Sequence, residues 1–412
     1  MRKLSKYVID ETINVSERIL INTVNGSILM IPAESDMSEP FIIDALDGND
    51  FFIDDQDAIN IFQENYKIIL KNTQNKYDLV LINSYDCNLN CPYCYQKKIN
   101  NEISAEFNIE NIISFIERNK ESIERIILFG GEILIDKNRS FISRVLKYIN
   151  NEIDVKLVTN GINLGNFAEI LKQNKNLEIS VTLDGFQDNH DLTRGHFYTI
   201  IDNIDLCLNL ELKVHLRINI FRSNTEDVTR VSNLITQHKW AENGLFNYEF
   251  TVISEDYSVF SELDLIKMYS ESMIIKDKFS IYKDAFNKIK HFFEDEDLYH
   301  GFESCRMNRN LLVLNGSGNA FNCYENTADK SKVIGTLDLS DMSIIANESK
   351  KLWEQRNVLT IKECSDCAYA IFCRGGCAAK AQKANGTIYS PDCNRFKEIF
   401  KIALVDYLKG VS

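Results

Sequence analysis

The chain is 412 residues long, 44% apolar and 26% charged, with a formal net charge of −14 and a sequence pI of about 5.1. That supports a large core in two or three domains, and the acidic balance argues against nucleic acid, whose phosphates are met by surplus Lys and Arg. No charged-then-apolar signal sequence stands at the N-terminus and no apolar run is long enough for a bilayer, so a soluble cytoplasmic protein without membrane contact is expected.

In chain order, the first residues read as a separate module over 1–77. "ILINTVNGSILMI" places Asn25-Gly26 between two apolar runs, which predicts a hairpin with a type I′ turn. A helical stretch, "DAINIFQENYKIILKN", follows. Such a module can take a peptide as an added strand, or it can be a lid or packing extension.

Over 78 to about 255, within a domain expected over 78–290, the pattern alternates. The strand-like runs are "DLVLINS", "RIILF", "DVKLVT", "LEISVTL", "LKVHLRINI" and "FNYEFTVI". Amphipathic stretches lie between them, such as "NIENIISFIERN" with Ile109, Ile112, Ile113 and Ile116 at helical spacing. Six strands alternating with helices predict an α/β fold with a parallel sheet, either an open doubly wound one or a partial barrel. In parallel barrels the chemistry sits at the strands' carboxyl ends. Helices are expected from 260 to about 300, ending in the acidic "FFEDEDLYHGF". The segment 291–412 is short-patterned and cysteine-rich, the signature of a small domain that depends on metal.

Eleven cysteines in a chain with no export signal point to metal ligation rather than disulfides. Cys207, alone in "IIDNIDLCLNL", reads as a packed small hydrophobe. "DCNLNCPYCYQ" gathers Cys87, Cys91 and Cys94 after the first barrel strand. A closed zinc site would want a fourth ligand nearby. Three thiolates can instead hold three irons of a four-iron cluster and leave one iron open.

The spacing C-x3-C-x-aromatic-C, with Tyr93 as the aromatic, resembles the signature of the radical S-adenosylmethionine (radical SAM) superfamily. The resemblance implies a partial (β/α)6 TIM-like barrel whose open iron chelates the amino and carboxylate groups of S-adenosylmethionine. It also implies reductive cleavage to a 5′-deoxyadenosyl radical that abstracts hydrogen, with Tyr93 lying against the adenine. "LFGGE" resembles the family's Gly-Gly-Glu-Pro motif. Gly130, Gly131 and Glu132 would then hold the methionyl amino group, and Ile133 stands where the family usually has Pro. Ser180, in "SVTLDG" with Thr182 and Asp184 on its face, and Arg194, in "HDLTRG", are implied contacts of the cofactor's polar groups. Asn160 in "TNG", and Arg217 and Asn219 in "LKVHLRINI", complete the cofactor-binding candidates. Each of these also has a plain structural reading as a hydrogen-bonding residue. No general base is assigned; Asp184, His190 and Asp191 lie near the site by position, and His215 reads as structural.

The remaining cysteines run Cys305, Cys323, then Cys364-x2-Cys367-x5-Cys373-x3-Cys377, then Cys393. This resembles the SPASM domain, an iron–sulfur domain of radical enzymes. By motif position, Cys364, Cys367, Cys373 and Cys393 would close one auxiliary cluster. Cys305, Cys323 and Cys377 would hold another, with His300, Glu303 or a substrate group as candidates for its open iron, although the two residues also read as ordinary surface residues. The implied cofactors are three [4Fe–4S] clusters and S-adenosylmethionine; structural zinc on the seven cysteines is the competing account. The resemblance implies a maturase acting on a precursor peptide, supplied with electrons by a donor such as flavodoxin or ferredoxin. An anaerobic sulfatase-maturing enzyme, a non-catalytic iron–sulfur carrier or zinc scaffold, and a nucleic-acid-modifying radical enzyme are the alternatives, in falling order.

Overall fold

The computed structural model describes residues 3–72, 76–98, 105–253, 260–294, 301–303, 305 and 310–411. His300 lies outside them. The chain divides into two compact units: one of Met1–Gln74, Ser261–Cys305 and Gln355–Ser412, the other of Asn75–Phe260 and Arg306–Glu354.

The second unit carries the site. Six strands alternate with helices: β4 (Tyr77–Ile82), β5 (Ile123–Phe129), β6 (Asp154–Thr159), β7 (Leu177–Leu183), β8 (Lys213–Ile220) and β9 (Phe246–Val252). They pair in chain order, all parallel. These are the six runs expected, and they form the α/β partial barrel. Near-continuous apolar runs suit a parallel sheet, because both of its faces are covered. Leu79 to Ile82 are fully buried. The helix Ile109–Asn119 turns Ile112, Phe115 and Ile116 inward, and the Asn108 side chain caps it by accepting from the backbone N–H of Glu110 and Asn111.

The sheet does not stop at β4. Four further strands extend it on that side: β10 (Leu311–Asn315), β11 (Asn319–Phe321), β12 (Gly335–Asp338) and β13 (Ser343–Ala346). β10 lies parallel to β4, and the rest follow antiparallel. The sequence reading had no strands here.

In the first unit, β1 (Val8–Thr12), β2 (Glu17–Asn22) and β3 (Ile28–Pro32) form an antiparallel sheet. It packs through Leu20 and Ile31 on Ile42, Leu46 and Phe51. The expected hairpin is β2–β3, but its turn is not type I′. That turn needs positive φ at both central residues. Only Gly26 has one, at 80°. The loop is longer, closed by Asn22 N–H to Ser27 O (2.8 Å) and Gly26 N–H to Asn22 O (2.9 Å). The expected helix spans Asp55–Asn72.

Three helices, Glu262–Met268, Met273–Lys276 and Ser280–Glu294, fall where helices were expected. The last packs on the C-terminal helix Phe396–Val411, and Lys276 Nζ meets Asp406 at 2.5 Å. Cys207 is fully buried in the helix Phe197–Asn209, and burial pushes its thiol up to about 12.

Candidate active site

The cysteine loop leaves β4 and returns against the end of β5. Gly130 and Gly131 make this approach possible. A Cβ on Gly131 would lie 2.2 Å from Tyr85 O and 2.4 Å from Asp86 O, and one on Gly130 would lie 2.4 Å from Ser84 O. Only glycine fits there. Gly131 N–H donates to Ser84 O (3.2 Å) and Glu132 N–H to Asp86 O (2.8 Å), pinning the base of the loop.

Glu132 is 2% exposed. Its Oε1 accepts from Leu134 N–H (2.7 Å) and the Thr159 hydroxyl (2.6 Å), and its Oε2 from Asn160 N–H (2.7 Å). Burial pushes the carboxyl up, against the pull of those donors. Asn160 Nδ2 donates to Asn88 Oδ1 (2.8 Å) inside the cysteine loop. Thus β5, β6 and the loop are tied through Glu132 and Asn160.

Burial raises the Cys87 thiol, helped by Glu132, Cys91 and Cys94, while Leu89 N–H reaches its sulfur at 3.4 Å. Burial likewise raises Cys91, opposed by the Arg194 guanidinium. The three thiols therefore lie within electrostatic reach of one another, of Glu132 and of Arg194.

The β7 and β8 ends close the rim. Val181 faces Gly161 and Ile200 of the helix Phe197–Asn209, which sends Ser180, Thr182 and Asp184 to the opposite side. Asp184 is fully buried. Its Oδ1 accepts from Arg194 Nε (2.9 Å) and Asn219 Nδ2 (2.8 Å), and its Oδ2 from the hydroxyls of Tyr93 (2.5 Å) and Thr193 (2.7 Å). Burial alone would raise this carboxyl, but Arg194 and the donated bonds hold it below its ordinary value. His190 is neutral: burial pulls it down to about 4. Its Nδ1 accepts from Asp184 N–H and its Nε2 lies against Gly195 O, each at 3.0 Å, which fixes the Nε2–H tautomer.

Of the cofactor-binding candidates, Tyr93, Gly130, Gly131, Glu132, Asn160, Arg194 and Asn219 are thus tied to the loop or to one another. Ser180 is buried on β7, and its hydroxyl makes no hydrogen bond among the described residues. Arg217 shares Asn219's side of β8 but is exposed and faces Glu249 across to β9. His215 pairs with the same Glu249 at 3.5 Å, a structural contact. The sequence reading missed Thr193, Asn88 and the keystone role of Asp184. Only the position of Asp184 beside Ser180 hinted at it.

In the first unit, burial raises the thiols of Cys364, Cys373 and Cys393, each helped by neighbouring cysteines with Cys367 among them, and Cys364 and Cys373 reach about 12. Cys305 and Cys377 lie in the same unit, within electrostatic reach of the buried Arg356. Cys323 belongs to the barrel unit, two residues past β11. Glu303 accepts from the Tyr66 hydroxyl at 2.6 Å. Among the described residues no three His, Cys, Asp or Glu converge on the position of one metal ion.

Comparison with known proteins agrees with this geometry. Residues 82–235 match the radical SAM superfamily. GTP 3′,8-cyclase of Campylobacter jejuni (strain RM1221) is 29% identical over 206 residues, 47% of this chain and 61% of that protein, so the chain spans under two thirds of it. The cysteine-type anaerobic sulfatase-maturating enzyme of Clostridium novyi (strain NT) is 22% identical over 354 residues, 77% of this chain and 92% of that protein. Among solved structures, anSMEcpe with bound AdoMet and Cp18Cys peptide superposes with a TM-score of 0.58 at 17% identity, covering 82% of this chain and 100% of that one. Streptococcus suis SuiB bound to precursor peptide SuiA gives 0.56 at 15% identity, covering 96% and 99%. At such identities these two show a shared fold. With its cysteine loop, its glycine cradle and its parallel sheet, the stretch 82–235 is similar to the radical SAM superfamily, a likeness that implies a [4Fe–4S] cluster and S-adenosylmethionine.

Proposed function

We propose that the chain is a radical SAM peptide maturase of the SPASM type, acting on a ribosomally made precursor peptide. Its product would be a thioether or carbon–carbon cross-link. The observation that carries this reading is the electrostatic proximity of the three thiols to one another, to Glu132 and to Arg194, on a loop tied to Asn160 at one end of the parallel sheet.

The residues present fit the implied group. Cys87, Cys91 and Cys94 would hold three irons, and the glycine cradle leaves backbone room where a side chain would collide. Glu132, fixed by three donors, would take the methionyl amino group. Arg194 and Ser180 would meet the polar groups, Tyr93 would lie on the adenine side, and Asn219 would brace the rim. When bound and reduced, the group supplies a 5′-deoxyadenosyl radical able to take hydrogen from a peptide carbon. The Cys364, Cys367, Cys373 and Cys393 set would hold one auxiliary cluster, a reading supported by the electrostatic reach of these thiols on one another. A second, on Cys305, Cys323 and Cys377, rests on their spacing alone. Electrons would come from a flavodoxin or ferredoxin.

Two further observations favour a peptide. The likeness to the peptide-bound SuiB extends over 96% of this chain, including the N-terminal residues. In those residues β3 is an edge strand with half-exposed Ile28 and Met30, the kind of edge that accepts an added strand. A sulfatase-maturing activity is the second reading, favoured by the alignment over 92% of the Clostridium novyi enzyme.

Anaerobic reconstitution tests the proposal. About twelve irons per chain are expected from three cubanes. The reduced protein with S-adenosylmethionine and its co-encoded peptide should yield 5′-deoxyadenosine and a peptide lighter by two hydrogens. An unchanged peptide counts against cross-linking, and a Cys or Ser converted to formylglycine selects the second reading.

A further inference from the structure

The signature asks only for an aromatic ring at position 93, yet this chain places a phenol there and engages its hydroxyl fully. Tyr93 Oη donates to Asp184 Oδ2 at 2.5 Å and accepts from Arg194 Nη2 at 2.8 Å and Nε at 3.0 Å. The ring itself is packed on Phe221, with centroids 5.6 Å apart, so the hydroxyl is not needed for packing. Burying a hydroxyl is unfavourable unless it is bonded, and here three elements converge to bond it. The loop supplies Tyr93, the β7 end supplies Asp184, and the segment after the helix Gln187–Thr193 supplies Arg194.

The geometry also says what this does to Arg194. The guanidinium's Nε and Nη2 edge is taken by Asp184 and Tyr93. Its Nη1 makes no hydrogen bond among the described residues, while the side chain as a whole is only 13% exposed. A flexible arginine has been fixed on one edge, with the other edge left to a ligand. Guanidinium geometry suits a carboxylate approached in this way.

We infer that the Tyr93 hydroxyl and Asp184 are positioning residues: they latch the cysteine loop to the β7–β8 rim and aim the free edge of Arg194 at the carboxylate of S-adenosylmethionine. Neither needs to touch the methionyl group. The inference rests on the proposed function above.

Tyr93→Phe keeps the ring and removes the latch; Asp184→Asn keeps the shape and removes the counter-charge. Both are to be made in the full chain, reconstituted anaerobically. Three quantities are read: iron per chain, melting temperature, and the dissociation constant for S-adenosylmethionine from the change in the reduced cluster's EPR signal. Tyr93→Phe is expected to weaken binding about tenfold, roughly one charge-assisted hydrogen bond. Asp184→Asn is expected to weaken it more; both variants should keep iron and Tyr93→Phe its melting temperature, whereas Asp184→Asn, which leaves Arg194 without its counter-charge, should melt lower. In turnover the loss should appear in KM, with kcat retained at saturation. Affinity within twofold of wild type in both variants overturns the inference, as does iron or melting temperature falling in step with affinity in Tyr93→Phe, which would make the latch a folding contact only. A wild-type chain whose signal ignores S-adenosylmethionine sinks the proposed function as well, so the two failures are told apart.

Discussion

The three thiols of the barrel loop and the four of the segment 364–393 are gathered by opposite means. The loop hangs on a finished sheet. Its base is pinned to β5 by Gly131 and Glu132, its middle to β6 by Asn88 and Asn160, and its end to the β7 rim by Tyr93. Backbone and side-chain bonds specify its shape. The quartet sits on Lys362–Ser365 and Ala370–Cys373, helices of four residues each, and on the stretch before the C-terminal helix. Helices that short do not hold themselves. Burial lifts Cys364 and Cys373 to about 12, so without a metal these thiols are neutral and bind nothing to one another. On the proposed function, the first site is built by the fold, and the second would help to build it.

The sharpest way to break that comparison is to remove both thiol sets separately. A Cys87→Ala, Cys91→Ala, Cys94→Ala triple variant should melt within about 2 °C of wild type while losing roughly four irons, since the sheet carries its stability. A Cys364→Ala, Cys373→Ala double variant should lose a similar amount of iron and drop by more than about 10 °C. Calorimetry with iron analysis decides it, and equal melting losses in the two would end the distinction.

Next in size is Arg356, fully buried beneath the quartet segment. Its Nε donates to Ile388 O (2.5 Å), and its Nη2 to Gly375 O (2.9 Å) and Ser390 O (3.3 Å), so one side chain closes three backbone carbonyls. Arg356→Met strands those carbonyls in the interior and should cost about 3–5 kcal/mol in denaturant unfolding. A loss under about 1 kcal/mol would show that metal alone holds the segment.

What could be read in advance follows the same divide. The six barrel strands were legible because each is an apolar run of six to eight residues, with amphipathic helices between most of them. β10 to β13 were not, being three to five residues long in a stretch whose glycines and cysteines suggest loops. β1, "VIDET", shows little apolar alternation, so its place in the sheet comes from its partner β2. At the turn, Asn25-Gly26 marked a bend correctly, but loop length is set by where β2 and β3 pair, not by the dipeptide. Spacing marked the cysteines; the motif resemblance marked Glu132 and Asn160, which follow strand ends, and Arg194, which follows the helix Gln187–Thr193. Parity put Arg217 beside Asn219 yet said nothing of depth, and the structure leaves it exposed against Glu249. Asp184 with Thr193, and Arg356 with its carbonyls, depend on chain segments that meet only in the fold.

A smaller effect sharpens the loop side of the comparison. His190 is held neutral behind Asp184, at about 4 against an ordinary 6.5. Between those values the unfolded chain binds the proton and the folded chain does not. Stability should therefore be full above pH 6.5, fall as pH drops from 6.5 to 4, and level off below. The whole change is about 3 kcal/mol. Asp184 stays ionised across that window, because its carboxyl lies below its ordinary value. Unfolding of wild type and His190→Gln from pH 4 to 7 should show the slope in the first and a flatter line in the second. Equal slopes would place the acid sensitivity elsewhere.

The smallest effect lies on the loop's outer surface. Lys137 Nζ meets Asp86, the residue before Cys87, at 2.6 Å and Glu106 at 3.0 Å, with its side chain 40% exposed. Water and salt screen such pairs, so Lys137→Ala should cost under about 1 kcal/mol, and less still at 1 M salt. If the loop owes its shape to the glycine cradle and the Tyr93 latch, iron loading of this variant should match wild type at either ionic strength. Iron lost at low salt and regained at high salt would mean that Lys137 also offsets repulsion between Asp86, Glu106 and the thiolates. The loop's preformed shape would then owe part of its stability to charge balance rather than to backbone fit alone.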